Sequence, residues 1–224
     1  MTTSGIWVIG DVHGEYDKLL QLISRLPEGA RICFCGDLID RGPDSAKVMK
    51  LVFDNNYDCV LGNHELMMLR SSIDKFEKMS WQNCGGRETV VSYEKYDDAL
   101  WHSHIELIES LPYFKYYEFD GHKPLVVSHS YIHNDWIDKD HKYSLDDAED
   151  ILWAHAYDKE RFDEDKEIRN NIFNIFGHSP VKEPIVTKTY AMIDTGATYA
   201  KYGTLSAIHY PSLKVIKHIN QTKE

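Results

Sequence analysis

Along the first seventy residues the apolar positions switch between two periods. Ile6 to Gly10 is a short apolar run closed by glycine and reads as a strand. From Asp17 to Leu26 the apolar residues are Leu19, Leu20, Leu22, Ile23 and Leu26, which gather on one helical side until Pro27 and Gly29 stop the helix. Ile32 to Cys35 reads as a strand buried on both faces. Asp44 to Phe53, with Pro43 at its start, puts Val48, Leu51 and Val52 on one helical side. Tyr57 to Gly62 reads as a third strand, and a helix follows from about Glu65 to Leu69. This strand–helix–strand–helix–strand order predicts parallel pairing through right-handed crossovers, with a ligand crevice beyond the carboxyl ends of the strands.

Further on, Asp74 to Leu111 reads as helical and is rich in aromatic and charged residues, with a turn at the paired glycines of "WQNCGGRET". It is expected to form a cap over the crevice. The rest turns strand-like at Tyr113–Phe119, Pro124–Ser128, Ile172–Phe176, Tyr190–Asp194, Thr204–Tyr210 and Leu213–Ile219, with a helix at Leu145–Trp153 and a frayed tail. No repeat, low-complexity tract or linker interrupts the chain. The 224 residues are therefore expected to form one domain, 1–224, with 74–111 as a cap-like helical insertion.

With 42% hydrophobic and 27% charged residues, the chain has ordinary globular composition. Its net charge of −11 argues against a general grip on nucleic-acid backbone, but leaves room for a local basic or metal-bearing pocket. Cys33 and Cys35 share one strand face and read as small core residues, and no paired zinc-type spacing exists. No secretory leader and no membrane-length apolar stretch is present, so a cytoplasmic location without membrane partners is expected.

All three early strands end in glycine followed by polar groups: "GDVHG" at Gly10, "GDLIDRG" at Gly36 and "GNHE" at Gly62. They contribute Asp11, His13, Asp37, Asp40, Arg41, Asn63 and His64. His129 follows the apolar run "PLVVS", and His178 follows "NIFNIFG". Each of these has an ordinary alternative: Asp11 and Asp37 could cap the helices that follow, and single histidines or arginines are often only solvated. The recurrence of the same residue types after five strand candidates favours a site. Carboxylate, imidazole and amide groups together suit divalent manganese, iron or zinc. They exceed what one four-coordinate ion needs, so two ions are plausible. Asp37, on the middle strand, is best placed to be shared. Two such ions can bind a bridging water, lower its pKa and hold phosphate oxygens for in-line attack. Arg41 offers a planar fork for phosphate, His64 a proton for the leaving oxygen, and Asp40 an anchor that orients His64.

In their order and spacing these motifs, with the later isolated histidine, "GHSP", "NCGG" and "IDTGA", resemble the phosphoprotein phosphatase group of the metallophosphoesterases. Within it they are similar to the compact bacterial and phage enzymes of which the bacteriophage lambda protein phosphatase is an example. The resemblance implies an α/β (α+β) fold, a central β-sandwich flanked by helices, with a dinuclear centre at one edge. It implies that Asp11 and His13 bind the first metal, that Asp37 bridges, and that Asn63, His129 and His178 bind the second. It makes His64 the general acid paired to Asp40, and Arg41 one phosphate clamp.

Two departures stand out. "HSY" replaces the usual "HAG" or "HAD", putting bulky Tyr131 beside the metals. The second arginine of compact relatives is replaced by His155, with Arg161 or Arg87 as other candidates to reach the substrate. The expected function is metal-dependent hydrolysis of phosphomonoesters by two divalent ions, Mn²⁺ with Fe or Zn as options, most readily as a serine/threonine protein phosphatase. A symmetrical diadenosine tetraphosphate hydrolase is the runner-up, disfavoured by "GNHE" over "GNHD" and by chain length. A non-catalytic scaffold is the third reading, disfavoured because all six ligands and His64 are present. The expected partner is a phosphorylated protein or a small phosphate ester, not nucleic acid.

Overall fold

The apolar runs become strands because both of their faces are covered. The computed structural model describes residues 5–132, 145–154, 171–200 and 202–218. Strands β1 (Ile6–Ile9) and β2 (Arg31–Phe34) lie parallel, with Ile6 opposite Arg31 and Ile9 opposite Phe34. Side chains alternate across a strand. Ile6, Val8, Cys33 and Cys35 therefore enter one core cluster, while Trp7, Ile9, Ile32 and Phe34 enter another. The second cluster packs beneath helices α1 (Tyr16–Ile23) and α2 (Ser45–Asp54) through Leu19, Leu22, Val48, Met49 and Val52.

The first cluster is shared with a second sheet. Leu125 and Val127 of β5 (Leu125–Ser128), together with Phe173 and Ile175 of β6 (Phe173–Phe176), meet Ile6, Val8 and the two cysteines face to face. Two five-stranded mixed sheets thus form a sandwich flanked by helices. One runs β10 (Lys214–Lys217), β9 (Ser206–Tyr210), β1, β2, β3 (Asp58–Cys59). The other runs β4 (Phe114–Tyr117), β5, β6, β8 (Tyr190–Met192), β7 (Ile185–Val186). Parallel pairing of β1, β2 and β3, and of β5, β6 and β8, points their carboxyl ends in common directions.

Element positions follow the sequence pattern, and the boundaries differ where the chain finds other partners. β3 is two residues rather than six, because the backbone N–H of Leu61 leaves the ladder for the carbonyl of Pro112, 2.8 Å away. β7 was not expected: two exposed residues are too short to show alternation. Neither Asp11 nor Asp37 is the N-cap of the helix that follows it, since α1 begins after Glu15 and α2 after Asp44; Asp37 Oδ1 instead accepts the backbone N–H of His64 at 3.0 Å. Helix α3 (Asn63–Arg70) starts at the "GNHE" motif itself. In the middle, α4 (Lys75–Trp81) and α5 (Arg87–Tyr93) are joined through residues 82–86 by a kink, and α6 (Asp98–Glu109) packs beside them. The paired glycines do mark the bend there, with Gly85 at φ +116°. Helix α7 (Leu145–Leu152) lies within the region read as helical. Among the described residues, no helix is long and apolar enough to cross a membrane.

Candidate active site

The loops after the strands carry five of the nine candidate residues in the left-handed region of the backbone: His13, Asp37, Asp40, Arg41 and His178. Such conformations are rare for residues other than glycine and persist only where neighbours hold them. Here the loops hold one another. The backbone N–H groups of Val12 and His13 both donate to the carbonyl of Asp37, at 3.0 and 2.9 Å, and Gly14 donates to that of Leu38 at 2.8 Å. Gly42 runs so close to His13 that a side chain has no room there.

A carboxylate that sequence reasoning did not assign to the site ties the second and third loops together. Glu65 is fully buried, and its two oxygens accept from the backbone N–H of Asp37 (2.8 Å), Leu38 (2.8 Å), Ile39 (3.3 Å) and Gly62 (3.0 Å). Burial and the charge of Asp37 push its pKa up, against the pull of these N–H donors. The Gly62 contact is the half of a capping box that the glycine-to-glutamate spacing could have signalled. The reach across to residues 37–39 leaves no such trace.

Ligand atoms converge on Asp37. Its Oδ2 lies 3.6 Å from His13 Nε2, and its Oδ1 lies 3.5 Å from His129 Nε2. Two groups, one of His13, Asp37 and His64 and the other of Asp11, Asp37 and His129, each bring one ligand atom per residue within 4.8 Å of the others. Asp37 is common to both. His13 Nδ1 donates to the carbonyl of Ile39 and His129 Nδ1 to that of Cys35, each at 2.8 Å, so both rings turn the Nε2 lone pair inward. Burial disfavours the charged form of both imidazoles, lowering His13 to about 3 and His129 below its ordinary value, against the pull of Asp37. His129 Nε2 then faces Asn63 Oδ1 at 2.7 Å, acceptor against acceptor. His178 Nδ1 lies 3.1 Å from the same Asn63 oxygen, and the His178 backbone N–H reaches Asp11 Oδ2 at 3.1 Å.

The carboxylates repeat this crowding. Burial, then repulsion from Asp194 and Asp37, raises the pKa of Asp11 well above the usual range. Asp194, in "IDTGA", is buried and pushed up to about 6 by burial, with Asp37 adding to the rise. Burial also opposes the charge of Asp37, yet the imidazoles of His129, His64 and His13 hold its carboxyl below the usual range. Buried acceptors that face one another are stabilised by a cation among them. The donor set, mixed carboxylate, imidazole and amide, fits divalent transition metals.

His64 and Asp40 form the expected pair: His64 Nδ1 lies 2.7 Å from Asp40 Oδ2. Burial opposes charge on His64, but Asp37 and the Asp40 hydrogen bond outweigh it and raise the pKa. Arg41 lies across the mouth of the site, with Nη1 2.8 Å from His13 Nε2 and Nη2 2.8 Å from His64 Nε2.

Arg87 and Tyr131 lie elsewhere. Arg87 is exposed and bonds to Asn83 Oδ1 at 3.4 Å, across the kink at Gly85. Tyr131 is 6% exposed, its ring packed edge-on against Phe176 and Tyr190 rather than standing free beside the ligands. His155 and Arg161 lie outside the described residues.

A family model described as calcineurin-like phosphoesterase matches residues 5–209. A bis(5'-nucleosyl)-tetraphosphatase PrpE, of the asymmetrical kind, from Anoxybacillus flavithermus is 30% identical, covering 93% of this chain and 91% of that protein. Among solved structures, one described as a candidate diadenosine tetraphosphatase superposes with a TM-score of 0.68 at 19% identity, over 98% of this chain and 96% of that one. A serine/threonine protein phosphatase from Saccharomyces cerevisiae superposes at 0.67 with 18% identity, over 99% and 81%. The expected likeness to protein phosphatases thus holds for the fold, in the yeast enzyme, while the expected likeness to phage-type enzymes gives way to curated relatives described as tetraphosphatases. The match over residues 5–209, together with the end-to-end relative at 30% identity, makes this chain a member of the calcineurin-like metallophosphoesterase family.

Proposed function

We propose that this protein is a metal-dependent hydrolase of dinucleoside polyphosphates, cleaving the tetraphosphate bridge unequally into a nucleoside triphosphate and a nucleoside monophosphate. The end-to-end similarity to an asymmetrical bis(5'-nucleosyl)-tetraphosphatase carries this reading. It replaces the protein phosphatase as first choice and keeps the nucleotide-hydrolase alternative, with unequal instead of symmetrical products.

In this proposal Asp11 and His13 hold one divalent ion, Asn63, His129 and His178 hold a second, and Asp37 serves both. Mn²⁺ is the proposed metal, and the same donors accept Fe or Zn. Bound there, the ions would neutralise phosphate charge and make a water more acidic. Arg41 leaves the two imidazole nitrogens it contacts and clasps the anionic phosphate oxygens with its fork. Its departure frees His64 Nε2 to carry a proton. The oxygen of the attacking water would bond to phosphorus and release its proton to solvent, the bond from phosphorus to the leaving oxygen would break, and His64 would give that oxygen its proton while Asp40 holds Nδ1.

A second reading, hydrolysis of phosphoserine or phosphothreonine, has one observation in its favour. The buried, oriented acid pair of His64 and Asp40 is of most use where the leaving oxygen is strongly basic, as an alkoxide is.

One assay tests both. The purified protein with Mn²⁺ is given diadenosine tetraphosphate, a phosphoserine peptide and a phosphotyrosine peptide, and products are separated by anion exchange. ATP plus AMP, formed with the highest kcat/KM and lost on chelation, is the expected result. Two ADP, or a phosphoserine kcat/KM tenfold higher, would overturn the first reading.

A further inference from the structure

Asp40 has no exposed surface, and a buried carboxylate is tolerated only when its oxygens meet donors. Its oxygens meet three side-chain donors. Oδ2 accepts from His64 Nδ1 at 2.7 Å and from Trp81 Nε1 at 2.9 Å. Oδ1 accepts from Thr89 Oγ1 at 2.6 Å. Two of the three therefore come from α4 and α5, 41 and 49 positions along the chain.

The direction of these bonds can be worked out. The Asp40 backbone N–H donates to Thr89 Oγ1 at 2.9 Å and to Ser45 Oγ at 3.1 Å. Thr89 has one hydroxyl hydrogen, and a carboxylate has none to offer, so that hydrogen goes to Asp40 Oδ1. Ser45 Oγ, 3.0 Å from Thr89 Oγ1, must then be the donor in that contact. The chain Ser45 to Thr89 to Asp40 runs one way, and every member of it is buried. Trp81 is held flat by Gly86, where a side chain would strike its indole, and the carbonyl of Gly85 accepts the Arg41 backbone N–H at 3.1 Å. The helical stretch thus grips both the carboxylate of Asp40 and the peptide that follows it.

We propose that Trp81 and Thr89 are positioning residues for proton transfer. They hold the Asp40 carboxylate so that one Oδ2 lone pair meets His64 Nδ1, and the imidazole presents Nε2 to the leaving oxygen. This rests on the reading of His64 as the proton donor. A purely packing role for the two residues predicts something different: loss of activity indifferent to the leaving group.

The test compares two monoesters in the Mn²⁺-loaded protein. p-Nitrophenyl phosphate has a leaving group that departs without a proton, and phenyl phosphate has one as basic as tyrosine, with a pKa of about 10. Thr89→Val and Trp81→Phe each remove a donor to Asp40; Thr89→Val, near-isosteric, also takes the acceptor from the Asp40 N–H and Ser45, and Trp81→Phe leaves a smaller ring. Each is expected to lower kcat on phenyl phosphate ~10–100-fold, a part of what a general acid contributes, and to lower it at least about tenfold less on p-nitrophenyl phosphate. KM and bound metal content stay within twofold on this reading, and Thr89→Ser restores the lost rate. His64→Asn is expected to show the same leaving-group pattern, more strongly. Equal losses on both esters for Thr89→Val and Trp81→Phe, with the pattern kept in His64→Asn, overturn this inference alone. Equal losses in His64→Asn as well overturn the proton-donor reading beneath it. Should Thr89→Val fail to fold, Trp81→Phe carries the same comparison, since its ring still packs near Trp101 and Gly86.

Discussion

The loops after β1, β2 and β3 and the helical stretch from Lys75 to Glu109 are held in different ways, and the two sides are joined where His64, Trp81 and Thr89 bond to the Asp40 carboxylate. The loops are sunk at the carboxyl edge of the sheet, where Asp11, His13 and Asp37 are each 2% exposed and Glu65 is fully covered. Backbone bonds between loops and the four N–H donors on Glu65 leave little freedom to move. The helical stretch is fastened along one side, by Trp81, Thr89, Ser92, Tyr93 and His104, while Phe76, Met79 and Val91 are 69, 58 and 55% exposed. Under the proposed function the contrast separates two tasks. Metal ligands need fixed distances, which cross-linked loops provide. A proton donor needs a supporting partner in a dry setting, which helices laid over the loop provide.

Glu65→Ala strikes the cross-linked side hardest. Four buried N–H groups lose their acceptor, and each such loss costs ~1–3 kcal/mol, so a fall of about 3 kcal/mol or more in unfolding free energy is expected from urea denaturation. Metal should bind more weakly as well, by about 10–100-fold, as for other residues that orient ligands. Stability and metal affinity both unchanged would mean that the strained loops stand without the carboxylate.

On the helical side the effect is smaller and depends on pH. His104 joins α6 to α5 through the Tyr93 hydroxyl, 2.6 Å from its Nδ1, and burial lowers its pKa from 6.5 to about 4. The unfolded chain therefore takes up the proton first as pH falls. This contribution is fully present above about 6.5 and is lost toward about 4. Wild-type protein should lose on the order of 1–2 kcal/mol across that window beyond what a Tyr93→Phe/His104→Leu double variant loses, measured by thermal unfolding at fixed ionic strength. Parallel pH curves for the two proteins would remove His104 from the account.

The smallest effect is expected from Arg87→Ala, on the exposed side of the same stretch. KM for p-nitrophenyl phosphate should change less than about twofold, and stability by no more than about 0.5 kcal/mol. A tenfold rise in KM would bring the helical stretch into contact with substrate and narrow the contrast drawn above.

Much of this was readable along the chain. The run from Ile32 to Cys35 announced a strand covered on both faces, and the structure puts Cys33 and Cys35 toward one cluster and Ile32 and Phe34 toward the other. Polar residues behind glycine at successive strand ends announced the crevice, and Asp11, His13, Asp37, Asn63, His64, His129 and His178 do come together there. Tyr131 shows where the reading stopped. Two residues after His129, it turns instead into the cluster with Phe176 and Met192, because β5 ends at Ser128 and beyond it the alternation that would put both side chains on one face no longer holds.

Apolar period and glycine-bounded loops are local patterns, since strands and helices repeat every two or nearly four residues. They were therefore enough to establish the order of elements and the chemical kind of the site. Glu65 gripping residues 37–39, Trp81 and Thr89 closing on Asp40, and Arg41 spanning two imidazoles join residues 23 to 49 positions apart. A hydrogen bond over such a span has no period and no preferred spacing. It exists only once packing has brought the partners together, so the tertiary structure alone decided which carboxylate steadies the loops and which donors steady the acid.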